Sequence, residues 1–235
     1  MRFFTPGTAF RSRKTREIAV LFALFVIPGA TAPASLVEFA GHLRPLLALA
    51  LRNGAFFLLV QYLLDIEEER TFALRGGSRP KTTTATIGTT LLVWTTLLMI
   101  SLLVAFIVAR IGITDTTSSE EVGTILHILN NQYSSLVWIP ILVVTLLTVG
   151  YVEELFFRTY LIFRFRQLGL DRLKTVVLSA LLFSVGHGYQ GAVALFFAFV
   201  AGLILGALWY RHPHLHAFAV GHTLYNVTAL VISAA

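Results

Sequence analysis

Seven stretches of this chain, at about 18–37, 46–64, 85–109, 136–163, 173–189, 192–210 and 213–233, are apolar over most of their length. A membrane-crossing helix takes about 20 such residues. Lipid offers backbone N–H and C=O groups no partners, so a spanning segment closes its hydrogen bonds within itself as a helix, or around a barrel. The runs are continuous and do not alternate, so they read as helices. The expected fold is all-α: a polytopic transmembrane bundle of about seven spans, forming a single membrane domain over 1–235. Composition agrees. Hydrophobic residues make up 56% and charged residues 13%, whereas soluble domains hold about 25% charged residues. That excludes a soluble enzyme and a nucleic-acid-binding domain, and makes membrane lipid the first partner. The absence of cysteine removes disulfides, thiolate metal sites and a Cys nucleophile.

Orientation follows from the basic residues, which collect in cytoplasmic segments. With the N-terminus cytoplasmic, the inner segments hold Arg2, Arg11, Arg13, Lys14 and Arg16, then Arg70, Arg75, Arg79 and Lys81, then Arg164, Arg166, Arg172, Lys174 and Arg211. The outer loops hold Arg44 and Arg110. The N-terminus is therefore expected inside, with residues 1–16 a lead-in to an uncleaved first span. Pro28 and Pro33 should kink or split that span, and Arg52 and Asn53 in the second must face protein or reach the interface. Gly76–Pro80 reads as loop, and 110–135 as a polar stretch with room for a short amphipathic helix at 125–129. Tyr133, Trp138, Tyr189, Trp209 and Tyr210 stand near span ends, as interfacial aromatic belts do.

Three places hold residues that a lipid-facing helix excludes. Glu153, Glu154 and Arg158 lie inside the fourth run. Three such charges cost roughly 8–10 kcal/mol on insertion scales, comparable to what the apolar residues of that run return. Their helix must line a polar, hydrated cavity. Glu154 and Arg158 are four apart and should pair on one face, with Glu153 turned away. Phe183 and His187 are four apart in the fifth run, and His222 and Asn226 in the seventh, so each pair should share a helix face. At about 1.5 Å per residue, Glu153, His187, His222 and Asn226 fall roughly 14–20 Å deep. They can meet at one level. A lone helical His is usually structural; two His, an Asn and a carboxylate on three spans point to a site. His212, His214 and His216, alternating around Pro213 at a helix start, read better as an interfacial polar cluster than as metal ligands.

The chemistry narrows by elimination. The chain has no GxSxG element. Asp65, Asp115 and Asp171 all fall in loops, which leaves no buried Asp pair, and the HExxH helix of zinc proteases is absent. What remains is Glu as general base, with His and Asn as ligands or hydrogen-bond donors. That set suits water activation and oxyanion stabilisation at a peptide carbonyl.

In order and spacing, Glu153-Glu154-x-x-x-Arg158, Phe183-x-x-x-His187 and His222-x-x-x-Asn226 resemble the three motifs of the CAAX protease and bacteriocin-processing (CPBP, or Abi) family of intramembrane proteases. That family includes the type II CAAX prenyl endopeptidase. The resemblance covers residues 136–233, the motif-bearing catalytic part. It implies a helical bundle with a conical cavity open to the cytoplasm, and a multi-pass protein, in the plasma membrane if the source is prokaryotic. By position, Glu153 polarises the attacking water with help from His187. His222 and Asn226 hold the oxyanion or a metal, Glu154 and Arg158 orient Glu153, and Phe183 packs the cavity wall. Two mechanisms stay open: a metal-free glutamate route, or a metalloprotease route with zinc on Glu153, His187 and His222. The substrate implied is a membrane-associated or prenylated CAAX-type peptide or protein, cut near its C-terminus. A second reading is a non-catalytic membrane peptide-binding protein, serving bacteriocin self-immunity or as a scaffold. Immunity that persists in a Glu153, His187 and His222 triple mutant would favour it.

Overall fold

The computed structural model describes residues 8–31, 43–66, 83–112 and 135–232. It contains helices α1 (Thr8–Thr31), α2 (Leu43–Ile66), α3 (Thr83–Ile111) and α4 (Ser135–Glu153). A π-helical segment (Glu154–Leu161) continues α4 into α5 (Ile162–Gln167). Then come α6 (Arg172–Val185), a 3₁₀ turn (Gly188–Gln190), α7 (Ala192–Trp209) and α8 (Leu215–Ile232). No strand occurs among the described residues. The expected amphipathic helix at 125–129, the Gly76–Pro80 loop, Pro33 and Tyr133 lie outside them.

Five of these helices are long and apolar enough to cross a membrane: Leu46–Ile66, Thr83–Ile111, Pro140–Gln167, Ala192–Trp209 and Leu215–Ile232. The first run does not qualify because α1 opens on a charged segment that includes Arg11, Arg13, Lys14, Arg16 and Glu17. It continues as helix through Pro28. The fifth falls short in length, since α6 is only 14 residues long. The sequence gives one helix from 173 to 189, but α6 ends at Val185 and passes through Gly186, Gly188 and Gly191. Gly191 adopts φ 94°, which favours glycine because no Cβ is there to clash. At its start, α6 is capped by Asp171, whose carboxylate accepts the Lys174 N–H at 2.9 Å. That bond and the Lys174 side chain hold the exposed Asp171 carboxyl below its ordinary range.

Side chains facing out from α2 and α3, such as Leu51, Leu58, Met99, Leu102 and Phe106, are exposed and apolar, as a lipid-facing wall requires. The inner seam is aromatic. Phe25 of α1 stacks on Phe56 of α2 at 4.3 Å, and both meet Phe156 edge-on, at 5.6 and 5.4 Å. Such pairs add about 0.5–1.5 kcal/mol each beyond their buried area. Helix α1 runs antiparallel to the π segment and α5, with Phe25 against Phe156 at one end and Glu17 against Arg164 at the other. Asn53 faces the protein, as expected, while Arg52 is exposed.

Helix α8 docks through small residues. A Cβ on Gly150 of α4 would lie 2.5 Å from Thr223 Oγ1, and one on Gly221 would lie 2.7 Å from the Thr90 carbonyl oxygen. Only glycine permits these approaches, the usual means by which helices meet in lipid. Trp209 departs from the belt reading: it is buried and packs edge-on against Phe218 at 5.2 Å. Its neighbour Tyr210 lies under the Arg172 guanidinium at 4.3 Å and shares a 2.7 Å hydrogen bond with Thr175.

Candidate active site

Glu153 is the last α-helical residue of α4, and Glu154 opens the π segment. π-helical turns are rare and recur at functional sites; here all eight residues of the turn are buried. The two adjacent carboxylates meet opposite fates. Glu154 is fully buried, whereas the Glu153 side chain keeps 17% exposure. Glu153 is the more accessible of the two.

Glu154 and Arg158 pair as expected, with Oε2 3.3 Å from Nε. The other oxygen, Glu154 Oε1, lies 2.8 Å from His222 Nδ1 on α8. So Glu154 is bound to the histidine, where the sequence reading directs it to Glu153. On its far side, His222 Nε2 stands 3.7 Å from Glu153 Oε2. The result is a chain of charge across two helices: Arg158, Glu154, His222, Glu153. The guanidinium of Arg158 sits 4.2 Å over the Phe183 ring, a desolvated cation–π contact worth about 2 kcal/mol. Its Nη1 and Nη2 have no hydrogen-bond partner among the described residues.

Phe183 joins the parts. Its ring lies 5.0 Å from Phe157, 4.5 Å from His187 and 6.4 Å from His222. The sequence puts His187 on a helix with Phe183. The structure places His187 in the turn after α6, yet keeps the four-residue link through a 2.9 Å bond between its Nδ1 and the Phe183 carbonyl oxygen. A carbonyl only accepts, so Nδ1 carries the hydrogen and Nε2 is bare in the neutral ring. Asn226 stands one turn beyond His222, partly exposed, with no side-chain hydrogen bond among the described residues. Glu153, Glu154, Arg158, His222 and Phe183 are thus in one contact set, which His187 joins through Phe183.

Zinc finds little to hold it. Among the described residues, no three His, Cys, Asp or Glu side chains come together as a ligand set. Bonds from Nδ1 to Glu154 and to a carbonyl leave the Nε2 atoms of His222 and His187 bare, as metal-ligating histidines are, but of the two only His222 Nε2 faces the Glu153 carboxylate, at 3.7 Å, while His187 meets the layer through the Phe183 ring. The residues as placed do not fit the metal.

One polar cluster escapes the sequence reading, and a second joins two of the histidines that it groups to a tyrosine that it does not. Glu17 of α1 accepts from the Tyr160 hydroxyl at 2.5 Å and from Arg164 Nε at 3.2 Å, and pairs with Lys14 at 3.3 Å. Lys14 and Arg164 are completely buried. Basic residues near a span end read as topology signals, and no along-chain spacing links residue 17 to residue 164. The second cluster joins Tyr151 to His216 at 3.0 Å, while His214 Nδ1 accepts the Ala217 N–H at 3.1 Å and caps α8. Burial and the neighbouring His216 lower the His214 pKa. No metal set forms there among the described residues.

The fold and this layer define the class: an integral membrane helical bundle with a buried carboxylate–histidine–guanidinium site. Residues 135–228 match the family model described as "Type II CAAX prenyl endopeptidase Rce1-like", so this segment, which carries the whole charge chain, is similar to that family of intramembrane proteases. No curated protein and no solved structure matches the chain.

Proposed function

We propose that the protein is an intramembrane endopeptidase that hydrolyses a peptide bond near the C-terminus of a membrane-associated, prenylated CAAX-type substrate, using water activated by Glu153. The observation that carries this reading is the 3.7 Å approach of His222 Nε2 to Glu153 Oε2, at the accessible end of a charge chain otherwise sealed in apolar packing. A carboxylate at that position takes a proton from water attacking the carbonyl carbon. His187, with Nε2 bare, supports the same water from the turn after α6. The Asn226 amide keeps its hydrogens throughout and supplies N–H to the oxyanion. The family match over the segment that holds all these residues supports the peptide as substrate class.

The test is cleavage of a farnesylated CAAX peptide and its unprenylated counterpart by the purified protein in detergent. Glu153→Gln should lower turnover by at least about 100-fold, the usual worth of a positioned base, with an unchanged thermal unfolding midpoint. Full activity in that variant overturns the assignment. Equal cleavage of the two peptides overturns the prenyl requirement alone.

A further inference from the structure

We propose that His222 is the general acid that protonates the leaving amine, and that Glu154, held by Arg158, is the positioning residue that places the transferable proton on His222 Nε2. This rests on the reading of Glu153 as base, and it gives His222 a task other than the oxyanion contact implied by the family resemblance.

The argument begins at the buried end. Glu154 Oε1 lies 2.8 Å from Nδ1, and the other carboxylate oxygen faces the Arg158 guanidinium. A carboxylate beside a guanidinium only accepts, so Nδ1 carries the hydrogen of that bond. The exchangeable proton of the ring is therefore confined to Nε2. Such an anchor fixes the tautomer and the ring's orientation, as the buried carboxylate does in serine-hydrolase triads. Arg158 in turn is clamped over Phe183, so Glu154 has little freedom to swing away.

Nε2 faces Glu153 Oε2 at 3.7 Å, too long for a direct hydrogen bond. The two atoms flank the place where one reacting group sits. Hydrolysis of an amide needs a base for the water and an acid for the nitrogen. Asn226 cannot release a proton at working pH. His187 has a backbone carbonyl on Nδ1 where His222 has a carboxylate, and its contact with the layer runs through the Phe183 ring, not against Glu153. Among the described residues, the titratable groups packed on His222 are Glu153 and Glu154, and Arg158 stands behind Glu154.

The proton inventory closes. Water oxygen bonds to the carbonyl carbon as one water proton passes to Glu153. The C–N bond breaks as Nε2–H gives its proton to the departing nitrogen. The proton on Glu153 then moves to the bare Nε2, which restores both groups.

The test uses the full chain in detergent and two matched substrates, one with a scissile amide and one with a scissile thioester, whose thiolate leaves without a proton. His222→Asn should lower amide turnover by about 100-fold or more and thioester turnover by less than about tenfold. Glu154→Gln should show the same amide-selective loss at smaller size, about tenfold, in kcat with KM unchanged. The thioester rate itself reports whether each variant's site is folded. Equal losses on both substrates in His222→Asn and in Glu154→Gln overturn the proposal, because an oxyanion or packing role is blind to the leaving group. Glu153→Gln should abolish both activities. Retention of both there sinks the base reading instead, a pattern distinct from failure of the acid.

Discussion

Helices α1 to α3 and the segment from α4 to α8 answer the same solvent in different ways. The first group turns apolar side chains outward and aromatic ones inward, and its described residues supply nothing to the Arg158–Glu154–His222–Glu153 chain. The second buries Glu154, Arg158, Thr159, Ser179, Ser184, His222 and Thr223. Yet the halves are not independent. Glu17 of α1 supplies an anion for Arg164 and Lys14, both sealed from solvent, at the end of the helix that carries Glu153 and Glu154. The chemistry is concentrated in one region, and part of the charge balance that keeps that region folded is borrowed from the other.

Four substitutions or conditions test that division, from the largest expected effect down. Arg158→Leu leaves Glu154 buried beside a histidine without its guanidinium, and should cost about 3–5 kcal/mol. The readout is the denaturation midpoint in micelles. A change under about 1 kcal/mol would mean that the charge chain contributes little to holding the second region together. Glu17→Ala should cost about 2–4 kcal/mol, because it takes an anion from two buried cations, Lys14 and Arg164. If this variant unfolds like wild type, the first region is only a wall. Ser179→Ala removes the 2.6 Å bond from Ser179 Oγ to the Phe157 carbonyl oxygen, inside the second region. It should cost about 1 kcal/mol, which sets the scale of an ordinary neutral contact there.

The smallest effect belongs to His214. Its folded pKa is depressed, so the folded state favours the neutral ring that caps α8. The stability this provides is full above the unfolded value of about 6.5 and declines as pH falls below it. Solvent screening at this partly exposed site limits the loss to a few tenths of a kcal/mol. Comparing midpoints at pH 7.5 and 5.5 for wild type and His214→Asn should show the drop in wild type alone.

The sequence disclosed what repeats along the chain. The third and sixth runs, at 85–109 and 192–210, nearly coincide with α3 and α7, because each is a long uninterrupted apolar segment. The Glu154–Arg158 pair was legible because four-residue spacing places both on one helical face. Three features were not. The end of α6 before His187 falls at Gly186, and the turn back into α7 is made at Gly191 with φ 94°, both of which an apolar average hides. The π segment has no compositional mark. The contact of Glu154 with His222 joins residues 68 apart, and which helix His222 meets is decided by Gly150 and Gly221, whose missing side chains let α8 settle against α4 and α3.

The brevity of α6 reaches beyond the protein. Fourteen residues make a rod of about 21 Å, and the 18 residues of the antiparallel α7 make about 27 Å, whereas an average hydrocarbon core is about 30 Å thick. A helix as short as α6 is accommodated by local thinning of the bilayer, by flanking side chains that reach the interface or by packing on its neighbours, at a fraction of a kcal/mol per ångström of mismatch. The turn after α6 carries His187. Thinning of the bilayer around α6 would bring bulk solvent nearer to His187 than the nominal thickness implies, so the depth of this turn below the surface would depend on the membrane as well as on the chain.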